Sequence, residues 1–226
     1  VAVQNARLYD ETRRRLEETR ALLEVEELLN CTLPPRQRLK AVAIKIAQVC
    51  RVDRCTIERW DGDRVLPLMS QFADGHRDDR QWSAFRGGQG YAPRQVPAYA
   101  RLLETRQPVI IDDTLHSDLI PREWAETFGH RSFLLVPLVQ QDAVIGVLGL
   151  DRLGRPAPFE RGQVDLAVAI AGQLALSIEN TRLYAEAEER LRETATLLAV
   201  GQALAQPLER VEVMRLSKEI GDKTRK

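Results

Sequence analysis

Apolar and small residues recur along the start of the chain at Leu8, Thr12, Leu16, Thr19 and Leu23, which places them on one side of a helix. The same steps of 4, 4, 3 and 4 return at Leu183, Ala187, Leu191, Thr194 and Leu198. This is a heptad-like stripe with a four-residue insertion, the pattern that locally unwinds a coiled coil. Glu and Arg crowd the flanking positions, as exposed helix faces require. Pro34 and Pro35 predict the end of the first helix. No Pro intervenes from Gly162 to about Gln206, which predicts one helix of about 65 Å at 1.5 Å per residue.

The two stripes belong to a duplication. Residues 3–33 lie over 178–208 at an offset of 175, with 14 identities in 31 positions, Asn5/Asn180, Tyr9/Tyr184 and Leu16/Leu191 among them. Chance would give about two. A helix, a globular unit and the same helix again predict one period of a longer array. Helices of this length cannot bury their stripes against so small a body, so the pattern predicts a homodimer paired through Leu8, Leu16, Leu23, Leu183, Leu191 and Leu198.

Between the helices the period changes. Leu39, Val42, Ala43, Ile46 and Ala47 form a helical stripe over 37–50. Residues 55–60 and 64–72 flank Asp61-Gly62-Asp63 and predict a hairpin. Residues 73–94 are polar and Gly-rich, with Trp82, Phe85 and Tyr91, and predict a long functional loop with a short helix and an edge strand. A helix is expected over 96–106, a strand over 108–113, a loop with a short helix over 114–130 and a second hairpin over 132–152. The last helix should bury Leu166, Ala167, Ile170, Ala171, Leu174, Ala175 and Ile178. Adjacent hairpins imply an α+β fold: an antiparallel sheet of five to six strands, with helices on one face and loop-rich connections on the other. Such a body encloses a pocket suited to a small ligand.

Composition narrows the function. The chain of 226 residues carries 33 basic and 33 acidic side chains, so nothing selects a nucleic acid or an acidic membrane as partner. No apolar run approaches the length that spans a bilayer, and three Cys leave one unpaired in any disulfide scheme; both point to the cytoplasm. No catalytic constellation is evident. His76, His116 and His130 are scattered, and Cys31, Cys50 and Cys55 lack metal-ligand spacing. The chain is expected to be non-catalytic. Gly87-Gly88-Gln89-Gly90 has neither the strand before it nor the Lys-Ser/Thr helix after it that a phosphate cradle needs.

Five segments together resemble the GAF domain, a PAS-like sensory module: VDRCTIERWDGD (52–63), ETRQPVIIDD (104–113), FGHRSFLLVPLVQQDAVIGVLGL (128–150), the Phe159 region and the exit helix IENTRLY. The resemblance divides the chain into an N-terminal signalling helix (1–33), a GAF domain (34–180), and a C-terminal signalling helix with the start of a next unit (181–226). It implies a sensory module that binds a small molecule, or relays conformational change, through a dimeric coiled coil to an output domain. That output would be a histidine kinase, with a diguanylate cyclase or a metal-dependent phosphatase as rivals. A ligand-free spacer in a GAF array is the alternative; a GAF-like sulfoxide reductase ranks last, for want of a pocket cysteine cluster.

Ligand classes follow from the same resemblance. Of the cyclic-nucleotide pattern only Phe159 is kept among Asp151, Arg152, Phe159 and Gln163. Gln95 stands where bilin binders carry Asp, and no Cys-His attachment pair lies near His116, so neither a cyclic nucleotide nor covalent bilin is expected. Haem stays open through His116 or His130. Candidate pocket residues are Trp60, Met69, Trp82, Phe85, Tyr91, Tyr99, Asp112, His116, Trp124 and Phe128, with Arg77, Arg80, Arg94 and Arg122 for an anionic group. Trp60, Met69 and Phe128 could equally fill the core.

Overall fold

A computed structural model describes residues 2–61, 64–76, 78–79, 82–83 and 92–223, with side chains of residues 9, 11–60, 64–76, 78–79, 82–83 and 92–200. Helix α1 (Ala2–Asn30) stops short of the two prolines. Pro34 is extended at ψ 143°, as a residue before proline must be, and Pro35 sits in the first turn of α2 (Pro35–Val49). Strands β1 (Arg54–Asp61) and β2 (Arg64–Phe72) form the first hairpin. Helix α3 (Pro97–Thr105) precedes β3, which covers only Val109–Ile111, so Asp112 lies beyond the strand in which it was expected. Helix α4 (Arg122–Phe128) ends on Gly129, whose φ of 71° supplies the left-handed cap. Strands β4 (Ser132–Gln140) and β5 (Ala143–Arg152) turn through Gln141 and Asp142, both at positive φ as a tight hairpin demands. Helix α5 (Arg161–Lys223) is continuous past Gln206, where the sequence suggested it would stop.

The five strands pair antiparallel in the order β2-β1-β5-β4-β3, so the two hairpins meet through β1 and β5 at the centre. Of the segment 73–94, Asp79, Trp82 and Ser83 are helical, and most of its expected edge strand falls outside the described residues.

Alternation along the strands sends side chains to two separate cores. On one face Ile57, Leu134, Val136, Leu148 and Leu150 pack with Val42 and Ile46 of α2, Val25 and Leu29 of α1, and Ala167, Ile170, Leu174 and Ala175 of α5. On the other, Val65, Val109, Ile111, Phe133, Leu135 and Val147 pack with Ala98, Tyr99 and Leu102 of α3 and Ala125 of α4. Of the two readings open to Met69, the core one holds: it packs on the helix side and does not face the loop side. A register shift between Ile57 and Glu58 sets Met69 opposite Ile57 and turns both toward α2.

The body ends at Ile178, and from Glu179 the chain forms a separate unit. In that unit Leu183, Tyr184, Leu191, Leu197, Leu198 and Val200 are all exposed.

Cys50 and Cys55 lie in the helix-side core. Burial pushes the Cys50 thiol up to about 12, and burial, reinforced by Cys50 and Asp151, pushes Cys55 well above its ordinary value. Cys31 is half-buried, with its thiol donating to the Leu28 carbonyl at 3.1 Å. Maleimide at pH 8 should therefore label one thiol of the native chain, and all three after urea unfolding. Rapid labelling of two native thiols would contradict this packing.

Candidate functional site

The loop-side face of the sheet carries a polar strip. Along β1, Cys55 and Ile57 enter the helix-side core, which sends Arg54, Thr56, Glu58 and Trp60 to the opposite face. Glu58 is 3% exposed, and the Tyr99 hydroxyl donates to its Oε2 at 2.9 Å. Trp60 packs half-buried against the loop-side core, with its indole Nε1 buried and no hydrogen-bond partner for it among the described residues. That N–H is the kind of group that a ligand or water satisfies.

At the far end of the strip three charged or titratable groups meet. The Arg54 guanidinium bonds both oxygens of Asp151, the shortest contact being Nη2 to Oδ2 at 2.7 Å. His130 Nδ1 lies 2.8 Å from the same Oδ2 and 3.4 Å from Arg54 Nη2. Nδ1 cannot both donate to the carboxylate and accept from the guanidinium, and the shorter contact makes it a donor. The His130 ring stacks on Phe133, with centroids 4.7 Å apart. Burial on its own would raise the Asp151 carboxyl; the Arg54 charge and the His130 hydrogen bond overcome it and hold the group below its ordinary value.

This cluster fastens the loop side to the helix side. Arg54 Nη2 also donates to the Phe128 carbonyl at 3.0 Å, at the end of α4. The next residue after Asp151, Arg152, donates to Gln163 Oε1 at 2.9 Å, in the first turn of α5. Gln163 Nε2 in turn donates to the Cys50 carbonyl at the end of α2. The side chain of Arg152 also covers the Phe159 ring at 5.0 Å. An unbroken set of contacts thus runs from the end of α4 to the first turn of α5.

The structure brings Trp60, Tyr99 and Trp124 together against the loop-side core. Trp82 is buried, and Phe128 is half-buried beside His130, with ring centroids 5.7 Å apart. Phe85 and Tyr91, with Arg77 and Arg80, lie outside the described residues. Asp112 is exposed, and His116 sits on the surface with Nδ1 2.8 Å from Asp113, so neither reaches the interior. Arg94 is exposed, and Arg122 pairs with Glu126 on α4. Among the described residues no group of three His, Cys, Asp or Glu is placed to hold a metal ion, and no helix is long and apolar enough to cross a membrane.

Sequence reasoning passed over Arg54, Glu58 and the pairing role of Asp151. The available signal was polar alternation along β1 and a carboxylate closing the apolar run VIGVLGL. An open groove of about 950 Å³ lies between α1, the α2–β1 turn and the β5–α5 connection. Five arginines and five carboxylates line it, which leaves it without a net charge to select a ligand.

Leu16, Leu23, Leu183, Leu191 and Leu198 of the two stripes are each about half exposed or more. The side chain of Leu8 lies outside the described ones.

A family model for the GAF domain matches residues 34–178. The fold is similar to the GAF domain of a phosphoenolpyruvate-protein phosphotransferase from Coxiella burnetii, at TM-score 0.62 and 19% identity, covering 76% of this chain and 98% of that one. It is similar to a GAF domain/HD domain protein from Geobacter sulfurreducens, at TM-score 0.57 and 20% identity, covering 72% and 96%. A GAF domain assigned to a sensor histidine kinase of Pseudomonas syringae pv. tomato gives TM-score 0.55 and 17% identity, covering 79% and 98%. No curated protein matches the chain.

Proposed function

Because the chain belongs to the GAF family of sensory and regulatory modules, we propose that it senses a small molecule on the loop side of its sheet and passes the change through a paired exit helix to an output domain. The output in this reading is a histidine kinase, a choice supported only by the family and by the kinase relative above. The chain itself acts by conformational change in this reading and carries no chemistry of its own.

The observation that carries the reading is the bridge from Phe128 through Arg54, Asp151 and Arg152 to Gln163. A ligand bonding Trp60 Nε1 or competing for Tyr99 would shift α3 and α4 against the sheet. Phe128 would draw on Arg54, and the strand end that holds Asp151 and Arg152 would move Gln163 and the start of α5. Two packings of a stuttered helix pair differ little in energy, so a small displacement at the root can select between them. The exposed leucine stripe supports the pairing.

Native mass spectrometry of the purified chain tests this. The expected result is a dimer carrying additional non-covalent mass, and Leu191→Glu with Leu198→Glu should convert it to monomer. A bare dimer gives the ligand-free spacer. A bare monomer of the unmutated chain overturns the pairing.

A further inference from the structure

Net charge selects nothing for the groove beside α1, but the placement of its charges does. On the α1 wall Glu17, Glu18 and Glu24 are each paired with an arginine of the same helix. On the wall made by the body, Arg51, Arg152 and Arg155 have no carboxylate partner among the described residues. Arg152 is the most constrained of the three. Its Nη2 donates to Gln163 Oε1 at 2.9 Å and its guanidinium covers the Phe159 ring, while Nε is buried with no hydrogen-bond partner among the described residues. A guanidinium held in place with an N–H left over is prepared to meet an oxyanion. Arg51 adds an anomaly. It follows the end of α2 at φ 53°, in the left-handed region that glycine takes at little cost. A strained backbone kept under an exposed arginine points to a use for the side chain.

We infer that Arg51, Arg152 and Arg155 form a binding site for a diphosphate group, carried by a nucleotide or present as free pyrophosphate. Three guanidiniums on one wall match an anion of several charges better than a lone carboxylate. Asp53 and Glu160 line the same wall. Asp53 Oδ2 already accepts from the Leu153 amide at 2.7 Å. Glu160 is exposed, and serves as an acceptor for a hydroxyl or amino group of the molecule that brings the phosphates. The groove, at about 950 Å³, has room for the rest of a nucleotide. The site shares no residue with the loop-side core around Trp60 and Tyr99, so it stands whether or not that side takes a ligand. It does share Arg152 with the contacts that end on Gln163 in the first turn of α5. A diphosphate on Arg152 therefore bears on the exit helix from a second direction.

Isothermal titration calorimetry of the whole chain at about 50 mM NaCl, with inorganic pyrophosphate and with ATP, tests the site. The expected result is one site per chain with a Kd of about 10–100 μM. Arg51→Gly and Arg155→Gln should each weaken binding about tenfold, and Arg122→Gln on α4 should leave it unchanged. Arg51→Gly should also raise the melting temperature by about 2–4 °C, since glycine relieves the left-handed backbone. Pyrophosphate binding without ATP binding assigns the site to the free anion, and the reverse assigns it to the nucleotide. Three results overturn the inference: no binding of either probe below about 1 mM, affinities indifferent to Arg51→Gly and Arg155→Gln, or an equal loss in Arg122→Gln. So does a fall in melting temperature for Arg51→Gly, which would give that arginine a packing role.

Discussion

Asp151→Asn is expected to destabilise the body by about 3–5 kcal/mol, although it keeps the number of heavy atoms and changes little volume. The reason lies in what it strands. Arg54 is 4% exposed, and a neutral amide takes away the carboxylate that bonds its guanidinium through both oxygens in the protein interior. The amide also presents an NH2 where the carboxylate accepted from both Arg54 and His130. Breaking one side of a buried pair costs far more than the pair contributes, because desolvation of the survivor is no longer offset. Urea unfolding checks this directly, and a loss below about 1 kcal/mol would mean that water reaches the cluster. Replacing both partners, Arg54→Met with Asp151→Leu, should recover a good part of the loss.

The same group sets an acid limit. The Asp151 carboxyl lies below its ordinary value in the folded chain. Its contribution is therefore complete above the unfolded value of about 3.9, and is lost as the pH falls through the folded one. The stability gap between the native chain and Asp151→Asn should be widest near neutrality and narrow on acidification below about pH 4. A gap that stays constant to pH 2 would remove Asp151 from the acid response.

Gly146→Ala is the second large effect, at about 3 kcal/mol of destabilisation. An added Cβ would run into the Glu58 carbonyl and come within 3.3 Å of the Arg59 Cα, both backbone atoms of the neighbouring strand. Leu138 Cδ1, at 3.1 Å, can rotate away; a strand backbone held by a ladder on each side cannot. Strands β1 and β5 would have to part where Glu58 enters the loop side. Gly172→Ala is the control, since a Cβ there meets nothing within 4 Å on the exposed side of α5. It should stabilise by about 0.5–1 kcal/mol through helix propensity. Urea midpoints of the two variants moving in opposite directions support the close approach; Gly146→Ala within 0.5 kcal/mol of the native chain would refute it.

Most of the sheet was legible because hairpins are local. The alternation in 55–60, 64–72 and 132–152 and the polar turn at Gln141-Asp142 settled four strands without long-range information. The buried face of the last helix was readable for the same reason, from one periodicity. What escaped depends on register or on distance along the chain. Met69 stayed open between core and pocket because a bulge between Ile57 and Glu58 is invisible in a count of alternating residues. Arg54 and Asp151 are 97 positions apart, and only the β1–β5 pairing sets them opposite one another. Asp112 and His116 looked eligible as polar residues at the end of a strand and in the loop after it, yet β3 ends at Ile111 and both lie on the surface. Aromatic side chains drew attention to Trp60 and Tyr99 correctly as neighbours, while the carboxylate that Tyr99 serves, Glu58, passed as one polar residue among many.

The two cores of the body have no residue in common. Strands β4 and β5 give alternate positions to one or the other, so a substitution at Phe133 or Leu135 repacks the loop side and leaves Leu134 and Val136 on the helices untouched. In evolutionary terms the specificity of such a protein can drift while its means of transmission stays fixed. In the proposed reading, new inputs arise by rewriting the loop-side positions of an old sheet, and descendants that answer to unrelated molecules still inherit the same working helices.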